Sequence, residues 1–306
     1  MSSAQLYIWD IGGGVGASNY LGDIGGYDGP QNDNSLKDLH IKSTNFSINA
    51  FARVRPVYRM SLKFDLTWAR IKGADSLTKE WPERYARNLS FRTDIIELSA
   101  QAHYFFLIIN DLAGKKRFNK ALYSYIGGGV GLMYYNPQAY YDGQWYNLQP
   151  LNTEGKENQY ARIAPTLPLS FGMIFEWRDE RDRYGHKVDR YRRHRVGLEL
   201  CYRFTSTDYL DDISTDYPNL DAMDETSRNL SSRSSEVADD PRSGDIPIEN
   251  YTTEGSPRGD PSDKDHFMTI TLSYSYIIKT HKRKFRRPKY NYVYGNVKRR
   301  GKRARY

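Results

Sequence analysis

Residues 88–110 read NLSFRTDIIELSAQAHYFFLIIN. From Thr93 onward, one set of alternate positions holds Ile96, Leu98, Ala100, Ala102, Tyr104, Phe106 and Ile108. The other set holds Ile95, Glu97, Ser99, Gln101, His103 and Phe105. A two-residue period marks a strand, because successive side chains of a strand point to opposite faces, whereas a helix groups positions three and four apart. The run is also long. Ordinary soluble strands hold about five or six residues, and a strand that crosses a bilayer needs roughly nine to eleven. Alternation and length together predict a membrane strand.

Seven further stretches carry the same pattern. They run from Tyr7 to Tyr20, Phe46 to Val54, Arg59 to Trp68, Leu122 to Tyr134, Leu167 to Trp177, Val196 to Phe204 and Met268 to Ile278. The segments between them alternate in length. Long polar connections cover 21–43, 72–87, 136–159 and 206–265, while the turn at Arg55-Pro56-Val57, the basic turn DLAGKKRFNK and the charged link RDERDRYGHKVDRYRRHR are shorter. Long loops on one side and short turns on the other are the pattern of an outer-membrane barrel with an even number of strands and both termini in the periplasm. The sequence therefore predicts an all-β fold: an eight-stranded antiparallel transmembrane barrel over 5–280, with 206–265 as a partly disordered external loop and 281–306 as a basic periplasmic tail. A lipocalin-like barrel would also alternate. Against it stand the mixed charges in mid-strand and the aromatic residues, Trp68 and Trp177 among them, near strand ends, where interfacial girdles sit.

Composition agrees. The 306 residues include 26 Tyr and 14% aromatic residues, and mean hydropathy is −0.77. Apolar runs long enough for a transmembrane helix do not occur, and low hydropathy is compatible with a barrel whose strands offer only half their residues to lipid. The N-terminal MSSAQLYIWD lacks an apolar leader, which fits either a removed leader or an intracellular protein; Ser2, Ser3 and Ala4 resemble the remainder of a cleavage site. The single cysteine, Cys201, excludes an intrachain disulfide framework.

Net charge is +8, with 45 basic and 37 acidic residues, yet 13 of the basic ones fall between Lys279 and Tyr306, where no acid occurs. An acidic or neutral body thus ends in a basic tail suited to an acidic partner or an anionic lipid. Lys282, Arg283, Lys284, Arg286, Arg287, Lys289, Lys298, Arg299 and Arg300 are its candidate partner-binding residues. Aromatic residues interleave the tail, which would suit nucleic acid in an intracellular protein; a periplasmic placement predicts no nucleic-acid partner.

Inside an eight-stranded barrel there is room only for side chains. Lys63, Asp65, Glu97, Glu199 and Arg203 share the polar faces of their strands and form a candidate lumen network, whose burial is tolerable only when paired. Catalytic and cofactor patterns are missing. GGGVGA at 12–17 fits a dinucleotide-binding turn loosely, but a helix does not follow it, and strand glycines in a narrow barrel explain it better. His103 is expected to be a hydrogen-bonded interior histidine, and Cys201 a small lumen residue. The sequence predicts no enzyme, no cofactor and no metal site. An alternative is a ligand-binding barrel or an outer-membrane enzyme that uses its external loops. Such a site would draw on Asp208, Asp211 and Asp212 with the Gln144–Glu154 loop, though the acids of 208–224 lack the spacing of a calcium loop.

Five stretches carry a resemblance: SNYLGDIGG, RNLSFRTDIIELSAQ, YIGGGVGLMYYNPQA, LQPLNTEG and TSTDYLDDIS. In order and spacing, from about Tyr7 to Asp216, they resemble the PorG-type outer-membrane barrel of the Bacteroidetes type IX secretion system. The resemblance implies an accessory component of protein transport and gliding motility rather than the translocation channel. It further implies a scaffold role that joins outer-membrane lipid to the periplasmic ring of the lipoprotein PorK and PorN. Known catalytic residues do not accompany this family.

Overall fold

A computed structural model describes residues 8–24, 43–77, 82–110, 112, 120–178, 193–237, 252–262 and 264–280. Among the described residues there are nine strands: β1 (Ile8–Leu21), β2 (Asn45–Val57), β3 (Met60–Ala74), β4 (Ser90–Ile109), β5 (Lys120–Tyr141), β6 (Gln144–Asn147), β7 (Ile163–Arg178), β8 (Arg193–Thr205) and β9 (His266–Thr280). Every neighbouring pair is antiparallel. The order β4-β3-β2-β1-β9-β8-β7-β5 is closed by pairing of β4 with β5. Eight strands therefore form an up-and-down barrel without an edge. The short β6 folds back on the end of β5 as a hairpin above the wall.

Besides β2, which runs on through Arg55-Pro56-Val57 where the sequence reads as a turn, two features differ from the sequence reading. First, β6 is an additional strand. Second, β3 and β5 run beyond the stretches read as strand, taking in parts of 72–87 and 136–159 that looked like loop. The cause is visible on their outer faces. Past Trp68, Ile96 and Tyr134, the outward residues turn polar, with Lys72, Arg92 and Gln138 in mutual register, so the apolar alternation ends before the hydrogen-bonded ladder does.

The outer wall is apolar where it should be for lipid. Ile11, Val15, Ile48, Phe64, Leu66, Leu98, Val130, Leu132, Leu167, Leu169, Leu200 and Leu272 are all exposed. On β4 the band runs from Ile96 to Phe106, which at about 3.3 Å per residue and a tilt of about 40° spans roughly 25 Å. Aromatic residues rim both borders. Near the end where β1 begins and β9 finishes, Trp177 stacks on His194 at 5.5 Å and His194 Nδ1 lies 2.6 Å from the Tyr274 hydroxyl. At the opposite, long-loop end, Phe46 and Trp68 lie 6.3 Å apart. An exposed apolar band between aromatic rims, around a polar interior, is the arrangement of a transmembrane barrel, and no described helix is long and apolar enough to cross a membrane.

The glycine runs of 12–16 and 127–131 lie inside β1 and β5, not at a helix N-terminus. A Cβ on the inward Gly129 would stand 2.1 Å from the backbone oxygen of Ala100, whereas one on the outward Gly128 would meet the Leu169 side chain at 3.2 Å and the Pro168 backbone oxygen at 3.8 Å. Two adjacent glycines thus face different demands. Gly129→Val should abolish the heat-modifiable folded band on a gel, and Gly128→Val should retain it; equal behaviour of the two would contradict the packing described.

Candidate functional site

Inward positions of the eight strands carry ten buried charged side chains: Asp10, Arg53, Arg55, Lys63, Asp65, Glu97, Glu176, Arg195, Glu199 and Arg203. Five are basic and five acidic. They form three tiers. In the middle tier, Lys63 Nζ lies 2.7 Å from both Asp65 Oδ2 and Glu199 Oε1. Asn49 donates to Asp65 at 2.9 Å and the Tyr125 hydroxyl donates to Glu199 at 2.5 Å. Nearer the long-loop end, Arg203 pairs with Glu97 and donates to Thr269 at 2.7 Å, while Thr166 donates to Glu97 at 2.7 Å. Nearer the termini, Arg195 bridges Asp10 at 3.0 Å and Glu176 at 2.9 Å. Arg53 approaches Asp10 at 3.7 Å, and the Arg55 guanidinium lies against the rings of Phe105 and Tyr123 at 4.7 and 5.0 Å.

Lys63, Asp65, Glu97, Glu199 and Arg203 therefore come together in two of these tiers. Sequence reasoning did not place Asp10 and Arg195 in the network. Both sit near strand ends, where parity alone does not separate a lumen group from a turn. The interior is filled at this level: Phe51, Lys63, His103 and Tyr125 are each at most 4% exposed. The expectation for His103 needs correction. Neither ring nitrogen has a hydrogen-bond partner; the ring instead stacks on Tyr125 at 4.4 Å, because Gly127 opposite it leaves room for a flat ring and offers no polar side chain. Cys201 is buried on β8 between Glu199 and Arg203.

The long-loop end bears a second polar assembly, a cap. It is built from the end of β1, the connection after β3 with helix α1 (Pro82–Arg87), the loop after β6, and the connection between β8 and β9. That last connection, expected to be partly disordered, forms 3-10 turns at Leu220–Ala222 and Ser234–Val237 and helix α2 (Glu225–Ser231), and buries Leu210 and Ile213 in the core beneath. Residues 238–251 lie outside the described residues, as do all nine basic tail residues named above.

Polar contacts lock the cap. Arg258 donates to Glu154 at 3.0 Å and to the Asp212 carbonyl at 2.6 Å. Glu154 accepts the backbone N–H groups of Ser214 and Thr215 at 2.8 and 3.1 Å. Asp212 accepts from Thr153 and Tyr160. Arg87 binds both oxygens of Asp75 at 2.8 Å and the carbonyls of Arg258 and Asp23 at 2.7 and 3.1 Å. Four of the five stretches quoted for the resemblance meet here, through Tyr20 and Asp23, Arg87 and Thr93, Thr153 and Glu154, and Asp208 to Ser214. Asp211 and Asp212 are buried, whereas Asp216 and Asp221 of the same acidic run are exposed. Among the described residues no group of three or more His, Cys, Asp or Glu is placed to hold a metal ion.

One hydroxyl joins two carboxyl groups in this cap. Tyr20 Oη lies 2.6 Å from Asp211 Oδ2 and 2.6 Å from Asp265 Oδ1, and it accepts the Asp23 N–H at 3.1 Å. A phenol has a single hydrogen to donate. The second carboxyl contact therefore requires a proton on Asp211 or Asp265. Burial pushes both carboxyls well above the usual range, reinforced by their negative neighbours. Burial also raises Asp208 to about 7, with Asp23 and Glu154 adding to it and Ser214 and Lys264 opposing. For Asp212 burial outweighs Arg258, leaving it at about 6.

The chain belongs to the family described as Domain of unknown function (DUF6089), whose profile matches residues 1–231. None of the curated proteins matches it. Among solved structures it is similar to Neisserial surface protein A, at 9% identity, covering 90% of this chain and 98% of that one with a TM-score of 0.33. It is also similar to Ail, the attachment invasion locus protein of Yersinia pestis, at 9% identity, covering 90% of this chain and all of that one with a TM-score of 0.29. The assignment of a closed barrel rests on the strand pairing itself.

Raised carboxyl values fix the sign of the cap's pH dependence. Below about pH 4 an unfolded cap is protonated as well, and there its contribution is complete. Between that point and about pH 7, the value of Asp208, the folded cap keeps protons that the open one releases, so the cap weakens as pH rises. Protease cleavage or hydrogen exchange over 206–215 should accelerate several-fold, on the order of tenfold, from pH 5 to pH 8 beyond the intrinsic pH effect on a peptide control. Asp208→Asn should flatten that profile. Stronger protection at pH 8 than at pH 5 would contradict the reading.

Proposed function

We propose that this member of the DUF6089 family is a non-conducting, non-enzymatic accessory protein of the outer membrane: a scaffold of the type IX secretion machinery that joins the membrane to the periplasmic ring of PorK and PorN. The observation that carries the scaffold part is the lumen. Ten buried charged groups in three tiers fill the barrel interior, which suits an anchor better than a channel. The secretion partner follows from the resemblance of the five sequence stretches, and its periplasmic contact from the tail. The described ends of the chain, Ile8 and Thr280, are paired with each other at the short-turn end, which supports the reading of a tail beyond β9 on that side. With the termini in the periplasm, 13 basic residues between Lys279 and Tyr306 lie within reach of acidic ring subunits and anionic lipid. Each cation near an anionic surface contributes about 1 kcal/mol within a Debye length of about 8–10 Å.

The reading with Asp208, Asp211 and Asp212 as a ligand site gains little from the geometry, because Asp211 and Asp212 are already engaged by Tyr20, Thr153, Tyr160 and Arg258.

Cross-linking in the native membrane followed by affinity purification and mass spectrometry tests the proposal. PorK and PorN should be recovered with the full-length chain. Truncation after Thr280 should leave a folded, heat-modifiable barrel and reduce that recovery, the more so as salt rises. Undiminished recovery with the truncated barrel would move docking to the periplasmic turns, and reproducible failure to recover ring subunits with the full-length chain would remove the secretion partner.

A further inference from the structure

Among the described residues, the cations that lie on the strands just beyond the apolar band at the long-loop end cluster on one side of the barrel, on β3, β4 and the start of β7. Along β3 the outward residues after Leu66 and Trp68 are Arg70 and Lys72; along β4, after Leu98 and Ile96, they are Asp94 and Arg92. Register places Lys72 beside Arg92, Arg92 beside Gln138 and Gln138 beside Asn147. Arg162, at the start of β7, reaches over Asn136 and Gln149 at 3.3 and 3.0 Å. On the opposite side, the first outward polar positions among the described residues are Asn19 on β1, Thr44 before β2, Ser206 after β8 and His266 on β9; none of these is a lysine or arginine, and Lys264 stands two residues beyond His266.

The ridge is held ready for an anion that the described chain does not itself supply. Arg70 is satisfied by Asp94 at 2.7 Å. Lys72, Arg92 and Arg162 have no carboxylate partner within 4 Å among the described residues. Arg92 is instead fixed with its guanidinium carbon 3.7 Å from the centroid of the half-exposed Trp145 ring and bonded to Gln138 at 2.8 Å; its Nε is buried without a partner. Arg162 is fixed by amide oxygens alone at 3.0–3.3 Å, beside the Tyr134 hydroxyl at 3.4 Å. Neutral acceptors orient a guanidinium without cancelling its charge, and its remaining fork suits the bidentate geometry of phosphate. Tyr140 and Trp145, with ring centroids 5.3 Å apart and both exposed, add a flat surface of the kind that packs against sugar rings.

Height relative to the membrane selects the occupant. Trp68, Ile96, Tyr134 and Ile163 close the apolar band on these strands, and Arg70, Arg92 and Arg162 follow within one to four residues, at the depth of lipid headgroups. We propose that Lys72, Arg92 and Arg162, with the Trp145–Tyr140 ledge, form a docking surface for the phosphorylated sugar headgroup of an outer-leaflet glycolipid. This rests on the reading of the chain as an outer-membrane barrel with its long loops outside, and not on the secretion partner.

Binding of lipid to the full-length, detergent-folded protein can be titrated by native mass spectrometry, with three probes: bisphosphorylated lipid A, the same glycolipid without phosphates, and phosphatidylglycerol. Retention of the phosphorylated glycolipid should exceed that of both others. Arg92→Gln/Arg162→Gln should lower its apparent affinity about ten- to thirtyfold, while Lys156→Gln/Lys264→Gln, which removes the same charge from the cap, should leave it unchanged. Heat-modifiability on a gel confirms that each variant folds. Equal retention of the dephosphorylated glycolipid, equal retention of phosphatidylglycerol, or an unaltered affinity in the folded ridge variant would each overturn the proposal. A barrel that folds but shows no preference refutes the docking surface alone; a chain recovered from cells without membrane refutes the barrel reading beneath it.

Discussion

Closing a sheet on itself with eight strands leaves an interior no wider than the side chains that fill it, and in this chain those side chains include five acids and five bases. That is the constraint on which everything else depends. Water cannot enter in quantity to solvate them, so each charge needs a partner inside the wall. Removing one member of a buried pair typically costs about 3–5 kcal/mol, because the other is left uncompensated. The pairing of Lys63 with two carboxylates, of Arg195 with two, and of Arg203 with Glu97 is therefore a condition for the barrel to close at all. It also ties β1, β3, β4, β7 and β8 together across the lumen, beyond what neighbour-to-neighbour ladders do.

Much of this was legible in the sequence, for a physical reason. A lipid-facing wall and a polar lumen force a strict two-residue alternation, and Ile96 to Tyr104 or Met268 to Tyr276 show it without interruption. Parity then assigned Lys63, Asp65, Glu97, Glu199 and Arg203 to one side of the wall. What parity does not give is who pairs with whom, since Lys63 and Glu199 are 136 residues apart. Nor does alternation persist above the membrane. Lys72 and Gln138, both in register with Arg92, look like loop because the outer face turns polar there while the inner face, with Ile71, Phe91 and Tyr135, turns apolar beneath the cap. The cap was the least visible. Its acids, Asp208, Asp211 and Asp212, read as solvated loop chemistry, and only their convergence with Tyr20, Glu154 and Arg258 shows them to be interior.

The three polar regions divide the molecule by height. The lumen network fills the barrel, the cap fastens the long connections over one end, and the cationic ridge lies between cap and lipid. On the proposed reading, a filled barrel under a fastened cap suits a part that holds a place in an assembly. Transport through the barrel would need the tiers to part, and each tier is joined to at least two strands.

Conductance in a planar bilayer tests the central claim, a barrel closed by its own charge pairs, most directly. The full-length, heat-modifiable protein inserted at moderate voltage should give no stepwise current. Reproducible single-channel steps from the purified wild-type chain would contradict the account, since ions would then be passing where Lys63, Glu199, Glu97 and Arg203 are described as meeting.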